Sequence, residues 1–139
     1  MKFEFSAGGV VYKKEGDQSL ILVSQHSGHH GWVFPKGFIG DKIKGEKKED
    51  TAVREVKEET GIEAEIEKPL NPVTYWYVMD EEKRKKTVYY FIMRAVGGNI
   101  NDHDFEMEKV EWLPTNQVLD RLTYPSDKEV WREAEKLIK

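Results

Sequence analysis

The stretch Gly40 to Ile62, GDKIKGEKKEDTAVREVKEETGI, decides how the rest of the chain is read. Its second half carries Ala52, Val53 and Val56 at the spacing of one helical face, and Gly61 is placed to end that helix. At roughly 100° per residue, Glu55, Glu58 and Glu59 stand three and four positions apart and share one turn of surface. Three carboxylates so placed repel one another, a cost that interleaved lysines would have avoided. A hard divalent cation reverses the sign, because Mg2+ takes carboxylate oxygens and is commonly completed by substrate phosphates. Spacing alone leaves a second reading open, a solvated charged face.

The pattern extends beyond the helix. Gly40, five residues, Glu46, seven residues, then Arg54, Glu55, the aliphatic Val56, Glu58, Glu59, Gly61 and the aliphatic Ile62 occupy every fixed position of a longer motif. The stretch resembles a complete Nudix box. The resemblance implies a hydrolase that splits a nucleoside diphosphate linked to another group, with Mg2+ or Mn2+ held by Glu55, Glu58 and Glu59. It also implies that Arg54 orients a neighbouring glutamate and that Glu46 supports the helix entrance or an outer metal. For its fold it implies an α/β protein, a Nudix-type α/β/α sandwich with a mixed central β-sheet.

Composition agrees with an enzyme of that size. A chain of 139 residues fits one domain, taken as residues 1–139, with a core large enough to need no disulfides. The absence of cysteine removes a thiol nucleophile and a cysteine zinc site and suits a reducing compartment, so a cytoplasmic setting is expected. No apolar run reaches the length of a signal peptide or membrane span. The net charge of -4 argues against duplex DNA or an anionic membrane as partner, since both demand a broad basic face. Oligomeric state is not readable from the sequence.

Outward from the box, residues 3–13 and 20–25 read as a hairpin or adjacent strands around a turn at KKEGDQS. Gly8 and Gly9 mark a bulge, a close approach of ligand, or a packing site. His26, His29 and His30 lack an HExxH pattern or a soft fourth ligand and read as a solvated loop rather than a metal site. The following WVFPKG resembles the segment before the box in Nudix enzymes acting on dinucleoside polyphosphates, where Lys36 would point a cation at phosphate. In those relatives the glycine after Pro-Lys opens the box, which here would be Gly37, whereas strict spacing selects Gly40.

Beyond the helix, 62–67 alternates as a half-exposed strand, and 73–79 and 87–96 read as two strands joined by DEEKRKK, a hairpin with a basic tip. Lys83, Lys85 and Lys86 on that tip are candidates to lean over a polyphosphate. Most of the nearby aromatics belong to the core, and the family resemblance makes Tyr77 or Tyr75 the ring that stacks on a base. A last strand ends at Trp112. By the same resemblance Glu106, or secondarily Glu108, is an added metal ligand or base; the choice between Glu106 and a box glutamate as base stays open. Thr115 and Ser126 are expected to cap two terminal helices, the second running to Lys139.

The resulting expectation is metal-dependent hydrolysis of a phosphoanhydride, with catalytic residues Glu58, Glu55, Arg54 and Glu106. The favoured substrate is a dinucleoside polyphosphate such as diadenosine tetraphosphate. An inositol pyrophosphate, an RNA 5′ end or an oxidised nucleoside triphosphate are the alternatives within the chemistry. From another class, a non-catalytic nucleotide sensor or binding module is weighed against the intact glutamates.

Overall fold

A computed structural model describes residues 1–138. The elements run β1 (Lys2–Glu15), β2 (Gln18–His26), β3 (Trp32–Val33), β4 (Lys36–Phe38), α1 (Lys48–Thr60), β5 (Ile62–Pro69), β6 (Val73–Met79), β7 (Glu82–Gly98), a 3-10 turn at Ile100–Asp102, β8 (Met107–Pro114), α2 (Thr115–Arg121) and α3 (Pro125–Leu137). The strands form one mixed sheet in the order β3-β2-β1-β7-β5, with β8 beside β2, β4 beside the first half of β1, and β6 beside the first half of β7. Its centre is the parallel pair β1 and β7, in register from Lys2↔Arg84 to Tyr12↔Arg94.

Alternation along these strands feeds two cores. Ala7 and Val11 of β1 and Phe91 and Met93 of β7 face Ala52 and Val56 of α1. Val10, Val88, Tyr90 and Ile92 face the other way, toward Val118 of α2 and Val130, Trp131 and Ala134 of α3. Helices therefore cover both sides of the sheet, the α/β/α sandwich that the box resemblance implies. No helix of the described residues is long and apolar enough to cross a membrane.

Local details depart from the sequence expectations in instructive ways. The β6–β7 hairpin turns at Asp80 and Glu81, both with positive φ (53° and 63°), so its tip is acidic. KRKK instead lies inside β7, paired with β6 throughout and, from Arg84 onward, with β1 on the other side. Strand alternation then splits the cluster between two faces, which no single basic tip would do. Gly8 and Gly9 sit in regular register with β7 and form no bulge; what approaches them is the chain itself, Gly9 N–H donating to Pro35 O at 3.1 Å. Neither expected cap is a cap: Thr115 is the first residue of α2, and α3 opens at Pro125, whose fixed φ suits a first helical position, leaving Ser126 inside. The expected end of that helix at Lys139 lies outside the described residues.

Candidate active site

The acidic turn of α1 is placed by the packing of Ala52 and Val56, which presses the helix onto β1 and β4. Gly61 closes it in the left-handed conformation (φ 80°), its N–H donating to Lys57 O at 2.8 Å. Glu55 and Glu59 thereby become buried, each 5% exposed, and Glu58 stays at the rim.

Arg54 organises the group. Its Nε and Nη2 donate to the two oxygens of Glu46 at 2.9 and 2.8 Å, and its Nη1 donates to Glu55 at 2.9 Å and Glu58 at 2.7 Å. Thr51 Oγ1 adds a bond to Glu46 at 2.6 Å. The Arg54 guanidinium, acting against burial and helped by Thr51, holds the Glu46 carboxyl down at about 2. At Glu58, hydrogen bonds from Lys42 and Arg54 overcome burial and lower the pKa. Glu55 and Glu59 go the other way. Burial raises both, with the charge of Glu58 adding at Glu55 and that of Glu55 adding at Glu59.

The two claimants to the opening glycine both require glycine, for different reasons. A Cβ on Gly37 would sit 2.1 Å from the Glu55 carboxyl carbon, so bare backbone there is what lets the glutamate lie against β4. A Cβ on Gly40 would meet only Ile43 O, at an easy 3.9 Å, but the residue turns with φ 78°. Gly37 thus answers to the carboxylate and Gly40 to the loop.

Two cavities meet above this turn. The first, about 280 Å³, is walled by Glu55, Glu59, Lys36, Lys42, Asp41 and Glu106; the second, about 820 Å³, is walled by Phe38, Tyr75, Tyr77, Met79 and Tyr124, with Asp127 among its buried groups. They share His26, His29, Val33, Lys36, Phe38 and Lys86, so a polar compartment opens into an aromatic one. Tyr75 and Tyr77 lie with ring centroids 6.3 Å apart, and Tyr77 donates to Glu4. Burial, with Lys36 nearby, brings Lys86 down to about 8.

Several expected residues do converge: Glu55, Glu59, Lys36, Lys86 and Glu106 around the first cavity, Tyr75 and Tyr77 around the second. Glu108 instead pairs with His30. Lys83 and Lys85 stand on the opposite face of the sheet, 4.7 and 5.6 Å from the Trp76 ring, and do not reach either cavity.

The structure adds residues that sequence reading passed over. His26 is half-buried and His29 exposed on the expected loop, but the loop is ordered: the two rings stack at 4.3 Å beside the cleft. Each Nδ1 accepts a backbone N–H, from Gly28 at 3.0 Å and Gly31 at 2.9 Å, which puts the ring hydrogen on Nε2. Burial, with His26 and Lys36 adding, lowers the pKa of His29. Ser6 Oγ is buried on the first cavity without a partner among the described residues. A period-two reading of β1 finds Ser6 on the inner face, but nothing local announces its role.

The donor set suits a hard divalent cation. Glu59 is a buried carboxylate whose one hydrogen bond is a long one, 3.4 Å from the Lys36 N–H, so its charge lacks a full partner. Glu55 spends one oxygen on Arg54 and keeps the other. As placed, no three His, Cys, Asp or Glu side chains of the described residues enclose a common point. The Glu58 carboxylate is taken by Lys42 and Arg54, and Arg54 also engages Glu46 and one oxygen of Glu55.

Residues 2–134 match the NUDIX domain family. A Mycobacterium tuberculosis (strain CDC 1551 / Oshkosh) protein bearing the name MutT4 is 37% identical over 141 residues, covering 97% of this chain and 56% of that protein. An 8-oxo-(d)GTP phosphatase of Mycolicibacterium smegmatis is 33% identical over 112 residues, covering 81% of this chain and 32% of that protein. The chain therefore spans about half or less of the length of these relatives. Among solved structures, a C. elegans Ap4A hydrolase binary complex superposes with a TM-score of 0.71 at 21% identity, over 96% of both chains, a likeness of fold.

Proposed function

The chain belongs to the NUDIX domain family, and from that premise we propose that residues 1–139 act as one domain that hydrolyses a phosphoanhydride, with a dinucleoside polyphosphate such as diadenosine tetraphosphate as substrate. One observation carries the reading: the acidic turn of α1 and the lysines Lys36 and Lys86 wall a cavity that opens directly into an aromatic compartment. A phosphate chain matches the first and a nucleoside the second.

Nudix enzymes generally use divalent metal ions, and here Glu55, Glu58 and Glu59 would hold Mg2+ or Mn2+, which supplies charge neutralisation and activation of water. The chain's own residues do the rest. Lys36 and Lys86 bind phosphate oxygens, and Tyr75 or Tyr77 stacks on the base. Arg54 fixes one oxygen of Glu55, and Glu55, made more basic by burial, takes the proton of the attacking water. Glu106, on the opposite wall, is the alternative base. Water oxygen bonds to phosphorus, the bridging P–O bond breaks, and the leaving phosphate departs with its charge met by the lysines. A cytoplasmic setting, where such nucleotides are found, belongs to the same proposal.

A second substrate is favoured by Asp127. This carboxyl, 4% exposed, sits on the aromatic compartment with only long bonds from Phe34 N–H (3.4 Å) and Tyr90 OH (3.3 Å), free to meet a base N–H. That supports an oxidised purine nucleoside triphosphate.

The test is a panel of diadenosine tetraphosphate, an oxidised guanosine triphosphate, an inositol pyrophosphate and 5′-triphosphorylated RNA, each in ¹⁸O water with Mg2+ or Mn2+. Fastest turnover of diadenosine tetraphosphate is expected. Turnover of none of them overturns the enzymatic reading.

A further inference from the structure

The side of the sheet that α1 covers is bare at its far end. There the outward positions of β1, β7 and β6 form two cross-strand rows, Phe3–Lys85–Trp76 and Phe5–Thr87–Thr74. Phe3 is 58% exposed, Phe5 47% and Trp76 49%, an unusual concentration of open rings on one sheet face. Lys83 and Lys85 sit over Trp76, and at the other end of the stripe Lys48 lies 5.8 Å from the Tyr89 ring. In a chain of net charge -4, the outward positions of these strand rows carry lysine and no acid. The nearest acid in the groove by Phe5, Glu49, is already paired with Lys48 at 3.4 Å.

We propose that this face binds single-stranded RNA. Open rings interleaved with ammonium groups match a strand that offers both base faces and phosphates. Adjacent same-face residues on a strand lie about 6.6 Å apart, which lets Phe3 and Phe5 receive successive unstacked bases. Thr74 and Thr87, cross-strand neighbours in the second row with hydroxyls only 3.4 Å apart, supply donors and acceptors for a ribose 2′-hydroxyl, which deoxyribose lacks. A second copy docked through the same face brings no acid to Lys83 and Lys85, since these strand rows carry none. The face is on the opposite side of the sheet from Lys86 and Tyr75, so RNA here is independent of the phosphoanhydride reading.

The probe is a fluorescein-labelled oligo(A) RNA of about 12 nucleotides with a 5′-hydroxyl, titrated with the full chain in EDTA. It has no polyphosphate for the cleft. Saturable binding is expected, several-fold tighter than for oligo(dA) and for duplex RNA. Trp76→Ala and Phe3→Ala each weaken it about tenfold while hydrolytic turnover and the circular-dichroism melt stay unchanged. The double variant Lys83→Gln/Lys85→Gln flattens the log affinity against log salt slope by about 1.4, roughly 0.7 per lysine. The inference is overturned by absent binding, by equal binding of oligo(dA), or by binding that these substitutions leave unchanged. Trp76-dependent attachment to phosphatidylserine vesicles, or a Trp76-dependent dimer, without RNA binding overturns it equally.

Discussion

Arg54 grips both carboxylate oxygens of Glu46, at 2.8 and 2.9 Å, while the same guanidinium holds one oxygen of Glu55 at 2.9 Å. The start of the α1 loop and the catalytic turn are thus locked by one cation. Glu46 is only 5% exposed at its side chain, so removing Arg54 leaves a buried charge unmet. Arg54→Ala is expected to cost about 3 kcal/mol in urea denaturation, the lower end for a broken buried pair because Arg54 itself reaches solvent. Arg54→Lys should recover little of it, since one ammonium cannot replace the fork. Turnover should fall with both.

The same pair predicts a pH dependence. Glu46 is held at about 2 against an unfolded value near 4.5. Its contribution is therefore fully present above 4.5 and drains away as pH falls toward about 2. The stability difference between the wild type and Glu46→Gln should be constant from pH 5 to 7 and shrink below 4.5, which melts across that range will show. A constant gap down to pH 2.5 contradicts the assignment.

Glu59 separates folding from chemistry. Its pKa is raised by burial, so the ionised form weakens the fold at neutral pH, increasingly as pH rises above the unfolded value. Glu59→Gln should raise the metal-free Tm by about 3 °C, the shift that roughly 1 kcal/mol makes in a chain of this size. Added Mn2+ should raise the Tm of the wild type and not of the variant, and turnover should drop by orders of magnitude. Glu58→Gln, tested alongside, should lose turnover with its fold intact; a nucleotide sensor would lose little.

Lys86 should tune affinity near its own pKa. With that value at about 8, the side chain is charged below and neutral above, so KM should climb as pH passes from 7 to 9. Lys86→Met should raise KM about tenfold at pH 7, as expected of one lost charge-assisted phosphate contact, and make KM flat with pH. A KM profile identical in the two proteins sinks this role.

Gly37 and Gly40 should fail differently. Gly37→Ala places a methyl 2.1 Å from the Glu55 carboxyl carbon, so turnover should collapse while most of the fold persists. Gly40→Ala meets no clash, with Ile43 O 3.9 Å away, but has a φ of 78°, so it should cost about 1 kcal/mol and spare most of the turnover. Steady-state kinetics and melts on both variants check the pair.

The sequence made α1 legible because two signals coincide there: Ala52 and Val56 repeat at the helical period, and Gly61 stops the run where a positive φ is needed. The strands were legible through their alternation of β-branched and aromatic residues. What it hid depended on partners far along the chain. KRKK reads as a turn because four cations rarely fill a strand, yet β6 flanks it throughout and β1 from Arg84 onward. His29 lies on the loop its sequence announces, but the contact that orders it, the Tyr124 hydroxyl 2.8 Å from Nδ1, comes from 95 positions away. Ser126 has the residue type of a cap, but Pro125 before it takes the first helical position and leaves the serine inside the helix.

The parallel pairing of β1 with β7 also governs when this protein can exist at all. One edge of β1 can pair early with β2 and β4, but its partner on the other edge lies about 80 residues later, so on the ribosome that edge must wait unpaired until β7 has emerged. No stable core precedes that closure, since both sides of the sheet are built on the pair. Birth of the fold is a single late event, and a chain halted before β7 is exposed to aggregation rather than half finished.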